Sequence, residues 1–158
     1  MFNETLLDFL RGVPFQDLPE SLVMAMAVFA FLRLPLEGRK IALVALLQTV
    51  TNAVRLLPIA FGMHTVILTI SLAFYVRMVT GVRISRAFWA VILCMLIVLG
   101  LELLYFIPLQ KLSGLAYEEI VKSPVLRGLF SLPYEVTLLI LALVKDYYNR
   151  KAKEQAGR

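Results

Sequence analysis

Charge is scarce in this sequence. Only 17% of its 158 residues are Asp, Glu, Lys or Arg, while 60% are hydrophobic and the mean hydropathy is +0.82. A soluble domain carries about 25% charged residues, and one this small has too little interior to hide so much apolar surface. Lipid is therefore the solvent. Cysteine occurs once, as Cys94 inside an apolar run, which excludes a disulfide framework and a thiol-pair metal site. Histidine also occurs once, at His64, and neither HExxH-type ligand spacing nor a glycine-rich phosphate loop is present. No metal or other cofactor is expected. The net charge is +5 and the pI about 9.6. The basic residues stand in short clusters between apolar runs, without the aromatic-interleaved face that nucleic acid requires, so no nucleic acid partner is expected. A cleaved leader is not expected either, because Glu4, Asp8, Asp17 and Glu20 against Arg11 reverse the basic start of one.

What is present is a series of punctuated apolar runs. Phe2, Leu6, Phe9, Leu10 and Val13 follow helical spacing with Asn3, Glu4, Asp8 and Arg11 on other faces. This predicts an N-terminal amphipathic helix within residues 1–16, ended by Gly12 and Pro14 and lying in the membrane interface, with a lid over the bundle as the competing placement. Asp17 and Glu20 suit an N-cap and capping box for a first span through Val23–Leu34, stopped at Pro35. Further spans are predicted over Ile41–Leu57, Met63–Val79 and Ala87–Ile107, the last stopped by Pro108. A short amphipathic piece, Leu115–Lys122, precedes a fifth span that starts at Ser123-Pro124 and continues past Pro133 to about Val144. The expected fold is an all-α polytopic membrane bundle of about five transmembrane helices. It divides into the interfacial helix (1–16), the bundle (17–148) and a basic cytoplasmic tail (149–158). Several runs have only about 17 apolar residues, the low end for crossing roughly 30 Å of hydrocarbon; four spans with one re-entrant segment are the alternative.

Orientation follows from Lys and Arg. Arg33, Arg39, Lys40, Arg77, Arg83, Arg86 and the tail residues Lys145, Arg150, Lys151, Lys153 and Arg158 fall on one side. Arg11, Lys111, Lys122 and Arg127 fall on the other. The N-terminus is therefore expected outside and the C-terminus in the cytoplasm of a plasma-membrane protein. The basic turns serve as topology determinants or touch anionic lipid.

Ionisable groups inside spans are costly unless paired or hydrated. Arg55, Glu102 and Glu135 qualify. Arg55 and Glu102 each lie about fifteen residues above the inner end of their spans, hence at one level roughly 22 Å up, where a salt bridge is geometrically permitted. Gln48, Asn52 and Arg55 at i, i+4 and i+7 form one polar stripe on the second span. Glu135 follows Pro133, where a freed carbonyl kinks the helix and makes a natural hinge. This set either locks helices in register or lines a ligand site together with His64, which lies at the outer mouth of the third span. Cys94 lies near the inner end of the fourth span, roughly 20 Å below His64, so no thiolate–imidazole pair forms and no enzyme activity is expected.

Val54-Arg-Leu-Leu-Pro-Ile-Ala-Phe-Gly-Met-His64, Gly100-Leu-Glu-Leu-Leu104 and Ser123-Pro-Val-Leu-Arg127 ahead of a Leu-Pro span give the chain its one likeness. Taken with the hydropathy, it resembles the N-terminal membrane domain of peptide-sensing receptor histidine kinases of Gram-positive bacteria, of the accessory-gene-regulator type. The resemblance implies a bundle that binds an extracellular signal and passes it through its last helix to a cytoplasmic kinase module. The sequence ends at Arg158, before any such module, so the expectation is a sensor domain acting on a partner or a part of a longer protein. The partners this implies are membrane lipid, a small-molecule or peptide ligand and a histidine kinase or other membrane protein; a homodimer is compatible. The alternatives are a substrate-binding transporter subunit, docking through the Ala25, Ala27, Ala30 face of the first span, and a structural subunit of a membrane complex.

Overall fold

The computed structural model describes residues 12–57 and 62–156. All regular structure among them is helical. We number the helices α1 (Leu18–Phe31), α2 (Gly38–Thr51), α3 (Met63–Thr80), α4 (Ile84–Ser113), α5 (Tyr117–Lys122) and α6 (Pro124–Ala156). Three of these are long and apolar enough to cross a membrane: α3, α4 and α6.

Local signals account for most boundaries. Gly62, Gly81 and Gly114 take left-handed conformations at the ends of α3 and α4, where a residue with a Cβ would be strained. Ser123 caps α6 by accepting the Leu126 N–H on its Oγ, and Pro124 needs no donor in the first turn. The α1 end is a Schellman motif: Leu34 N–H bonds the Phe29 carbonyl at 3.0 Å and Arg33 N–H the Ala30 carbonyl at 3.1 Å. Arg33 sits at φ 56, the left-handed position that glycine usually fills.

Several expectations are corrected. The predicted amphipathic helix over 1–16 lies mostly outside the described residues, but Gly12 and Pro14 do not end a helix. A π-turn, Val13–Asp17, runs straight into α1. Proline in a first turn has no intrahelical N–H to lose, so Pro14 and Pro19 are both absorbed. Asp17 is helical and caps nothing, and its carboxylate is taken up elsewhere. Pro108 does not stop α4, which continues to Ser113, where Gly114 supplies the left-handed end. In the expected tail, α6 stays helical to Ala156, Asn149 Nδ2 donates to the Ala30 carbonyl at 2.7 Å and Lys153 Nζ to the Arg33 carbonyl at 3.4 Å.

The long helices form a ring. α1 packs on α2, α2 on α3, α3 on α4, α4 on α6 and α6 on α1, with α1 also reaching across to α4. Short connections make successive helices antiparallel. α1 and α6 run parallel, since Gly12 lies near Arg127 at one end and Ala30 meets Asn149 at the other. The interior is lined by small residues. Ala25, Ala27, Ala30, Val28, Val44, Ala73, Ala87 and Ala142 are all buried, which lets backbones approach where lipid offers no hydrophobic drive to associate. The Ala25, Ala27, Ala30 face is thus consumed inside the bundle and is not a docking surface. Leu46, Val50, Phe74, Leu96 and Leu103 point outward, an arrangement suited to a hydrocarbon surround.

Candidate functional site

The polar site begins at the end of α2, where the helix tightens into a 3₁₀ turn, Asn52–Leu56. Side chains three apart eclipse in a 3₁₀ turn, so Asn52 and Arg55 come to face the same way. Both reach one carboxylate oxygen of α1's approach: Asn52 Nδ2 donates to Asp17 Oδ1 at 3.0 Å and Arg55 Nη1 donates to it at 3.2 Å. Arg55 Nη2 lies 4.0 Å from Glu20 Oε2. Asp17 is only 4% exposed, so the guanidinium and the amide together supply what water would.

The expected Arg55–Glu102 bridge is therefore replaced. Both residues border one cavity, but Asp17 and Glu20 stand on the neighbouring helical run and Arg55 reaches them instead. The members of the predicted stripe take different partners. Gln48 faces α3, where its Nε2 donates to the Leu68 carbonyl at 3.1 Å and its Oε1 accepts from Ser71 Oγ at 3.3 Å. Gln48 is a helix–helix tie.

Two adjoining cavities occupy this end of the ring. One, about 520 Å³, lies inside the ring between α1, α2, α3, α4 and α6, walled by Glu20, Gln48, Asn52, Arg55, Met95 and Glu102 among others. The second, about 450 Å³, lies between α4, α5 and α6, walled by Phe106, Tyr117, Ile120, Arg127 and Phe130. Phe106 packs edge-on to Tyr117 at 5.9 Å and against Phe130 at 5.7 Å, giving this second cavity an aromatic wall. Gln16, Leu99, Glu102 and Tyr134 border both. Tyr134 and Glu20 both border the first cavity, and Glu20 Oε2 is buried without a hydrogen bond. Apolar walls with a few convergent polar groups are the usual make-up of a small-molecule site.

Of the sequence candidates, Gln48, Asn52, Arg55 and Glu102 come together in the first cavity. His64 and Glu135 stand outside both cavity walls. His64 Nε2 lies 3.2 Å from the Leu57 carbonyl and ties the chain ahead of α3. Glu135 is 4% exposed, with Oε1 accepting no hydrogen bond. Pro133 lies inside α6 next to Tyr134. Cys94 is fully buried in the apolar core. Among the described residues no group of three or more His, Cys, Asp or Glu side chains is placed to hold a metal. Sequence reasoning missed Gln16, Asp17, Glu20 and Tyr134. Asp17 and Glu20 were legible as an i, i+3 acidic pair, but their place at a span's start favoured a capping role.

No protein-family model, no curated protein and no solved structure matches the chain.

Proposed function

We propose that the chain is a receptor-like membrane bundle that binds a ligand in the paired cavities and reports its presence through α6. The observation that carries this reading is Tyr134. It borders both cavities, shares the first of them with Glu20 of α1 and follows Pro133, where α6 has lost one backbone hydrogen bond and bends most easily. A ligand bridging the two cavities displaces Tyr134 and acts on α6 at its weakest point. The ligand has an apolar body, for the aromatic wall, and a polar group for Glu20 and Glu102. The partner reading α6 is a cytoplasmic protein such as a histidine kinase.

Five crossings fit this arrangement. The helical run from Gly12 to Phe31 and the α2–3₁₀ run from Gly38 to Leu56 each extend roughly 30 Å by their rises per residue, the hydrocarbon thickness. With both inserted, α1 and α6 run the same way through the bilayer, as their contacts require. Lys and Arg bias then sets the N-terminus outside and the α6 tail in the cytoplasm of the plasma membrane. The transporter-subunit alternative loses its docking face, since the alanines of α1 are buried.

The test is the distance between spin labels at Arg39 and Lys151, both exposed, in the presence and absence of conditioned culture medium. The expected result is a shift of several ångströms that disappears in Leu99→Trp, which fills the cavity junction, and in Pro133→Ala. No shift in the wild type, or an equal shift in both variants, removes the receptor reading and leaves a structural subunit.

A further inference from the structure

The end of the bundle opposite the cavities carries a fixed cationic surface. The α1–α2 turn, the α3–α4 turn and the end of α6 all lie there, because successive helices are antiparallel and Asn149 and Lys153 bind the α1 terminus. Arg39, Arg77, Arg83, Arg86 and Lys151 are exposed and Lys145 is half-buried, and none of them forms an ion pair among the described residues. Two of the nearby acids are already spent: Glu37 holds Lys40 at 2.9 Å and Asp146 holds Arg150 at 2.7 Å. Trp89, Tyr147 and Tyr148 are exposed close to this end, an aromatic girdle of the kind found at headgroup level.

Arg33 adds a separate observation. It occupies a left-handed position at φ 56, which costs an L-residue with a Cβ and costs glycine nothing sterically. A glycine would hold the same Schellman turn, so what the position gains from arginine is an exposed guanidinium, at the turn whose carbonyl receives the Lys153 ammonium.

We infer that this end binds the headgroups of anionic phospholipids, with Arg33, Lys153 and the two basic turns fixed at phosphate level. The helical tie of α6 to α1 makes the surface a rigid plane instead of a loose tail, so it can gather several headgroups at once. Juxtamembrane cations of this kind attract anionic lipid over about one Debye length, roughly 10 Å at 0.1 M salt.

The experiment uses the whole chain in vesicles of phosphatidylcholine, with spin-labelled phosphatidylglycerol or phosphatidylcholine as the reporter of lipids in contact with the protein. In 20 mM salt, phosphatidylglycerol is expected to be enriched roughly threefold over phosphatidylcholine. The enrichment should fall toward one in 0.5 M salt and in the combined variant Arg33→Gly, Arg39→Gln, Arg83→Gln, Lys151→Gln. Lys111→Gln with Lys122→Gln, at the other end, should leave it unchanged. Arg33→Gly relieves strain, so the combined variant should melt no lower than wild type in pure phosphatidylcholine. This separates lost lipid preference from lost fold. Equal association of the two lipids in low salt, or the same enrichment in the combined variant, overturns the inference and leaves the surface to an acidic protein segment.

Discussion

Asp17 is the residue on which the polar end of the bundle turns. A carboxylate this buried within a membrane-sized bundle must be compensated, and Asn52 and Arg55 both aim at its Oδ1. Removing one partner of such a pair costs about 3–5 kcal/mol when the pair is fully buried. Arg55 is 30% exposed, so about 2–3 kcal/mol is the better expectation after screening. We therefore predict that Arg55→Leu and Asp17→Leu each lower detergent melting stability by this amount, while the double replacement costs clearly less than their sum. The Arg55/Glu102 cycle should be additive, because Glu102 stands in the cavity wall. Coupling of the second pair and additivity of the first would reverse the assignment. Arg55, Glu102, Asn52 and Gln48 were legible as site residues because ionisable and amide groups inside apolar runs are rare and need partners. Asp17 and Glu20 were not, since an acid at the start of a span has an ordinary capping explanation. Tyr134 was hidden for another reason: an aromatic residue in a span normally packs, and nothing in its sequence context shows a cavity on either side of it.

At the level of helices, punctuation by left-handed glycine and by Ser-Pro was reliable, while proline alone and Gly12, which is right-handed, did not end a helix. Gly81 and Ser123-Pro124 end or begin helices where the sequence reading placed them, and Gly114 supplies the end of α4 that the sequence reading assigns to Pro108. Pro14, Pro108 and Pro133 all lie within helical runs. A proline inside a helix loses one hydrogen bond and crowds one carbonyl, and neighbouring helices in a bundle hold such a segment together. The continuation of α6 through Tyr148 was legible from the lack of any break signal, while the basic composition beyond it suits a solvated tail as well as a helix. Its tie to α1 decides the matter. Asn149 donates to a carbonyl that Arg33 N–H also binds, so the amide contributes one hydrogen bond worth about 1 kcal/mol. Asn149→Leu is expected to lower global stability by no more than that. Amide exchange over residues 150–156 should nonetheless rise severalfold as the end of α6 leaves α1. Unchanged exchange there would mean that packing further up α6 holds the tail, and that the Asn149 contact is incidental to any signal passing along the helix.

For the molecule as a whole, the decisive quantity is the number of crossings. Three helices have the length and hydropathy to span alone, while α1 and α2 reach the same extent only with their π and 3₁₀ turns included. The ring gives an independent handle on them. If α1 and α2 cross the bilayer, their turn lies on the side where α6 ends, because α1 and α6 are parallel and joined at both ends. If α1 and α2 were instead a re-entrant pair that dips in and returns, that turn would lie within the bilayer or at the side where α3 begins. Single cysteines separate the two arrangements, and the buried Cys94 stays silent in the folded protein. We predict that Arg39→Cys and Lys151→Cys react with an impermeant maleimide from one face of sealed vesicles and Ser113→Cys from the opposite face. The face shared by Arg39 and Lys151 should be the cytoplasmic one, since it carries most of the Lys and Arg. Labelling of Arg39 from the Ser113 side would undo both the five crossings and the parallel pairing of α1 with α6. The cavities would then open toward a different compartment, and the receptor reading would have its ligand on the wrong side of the membrane.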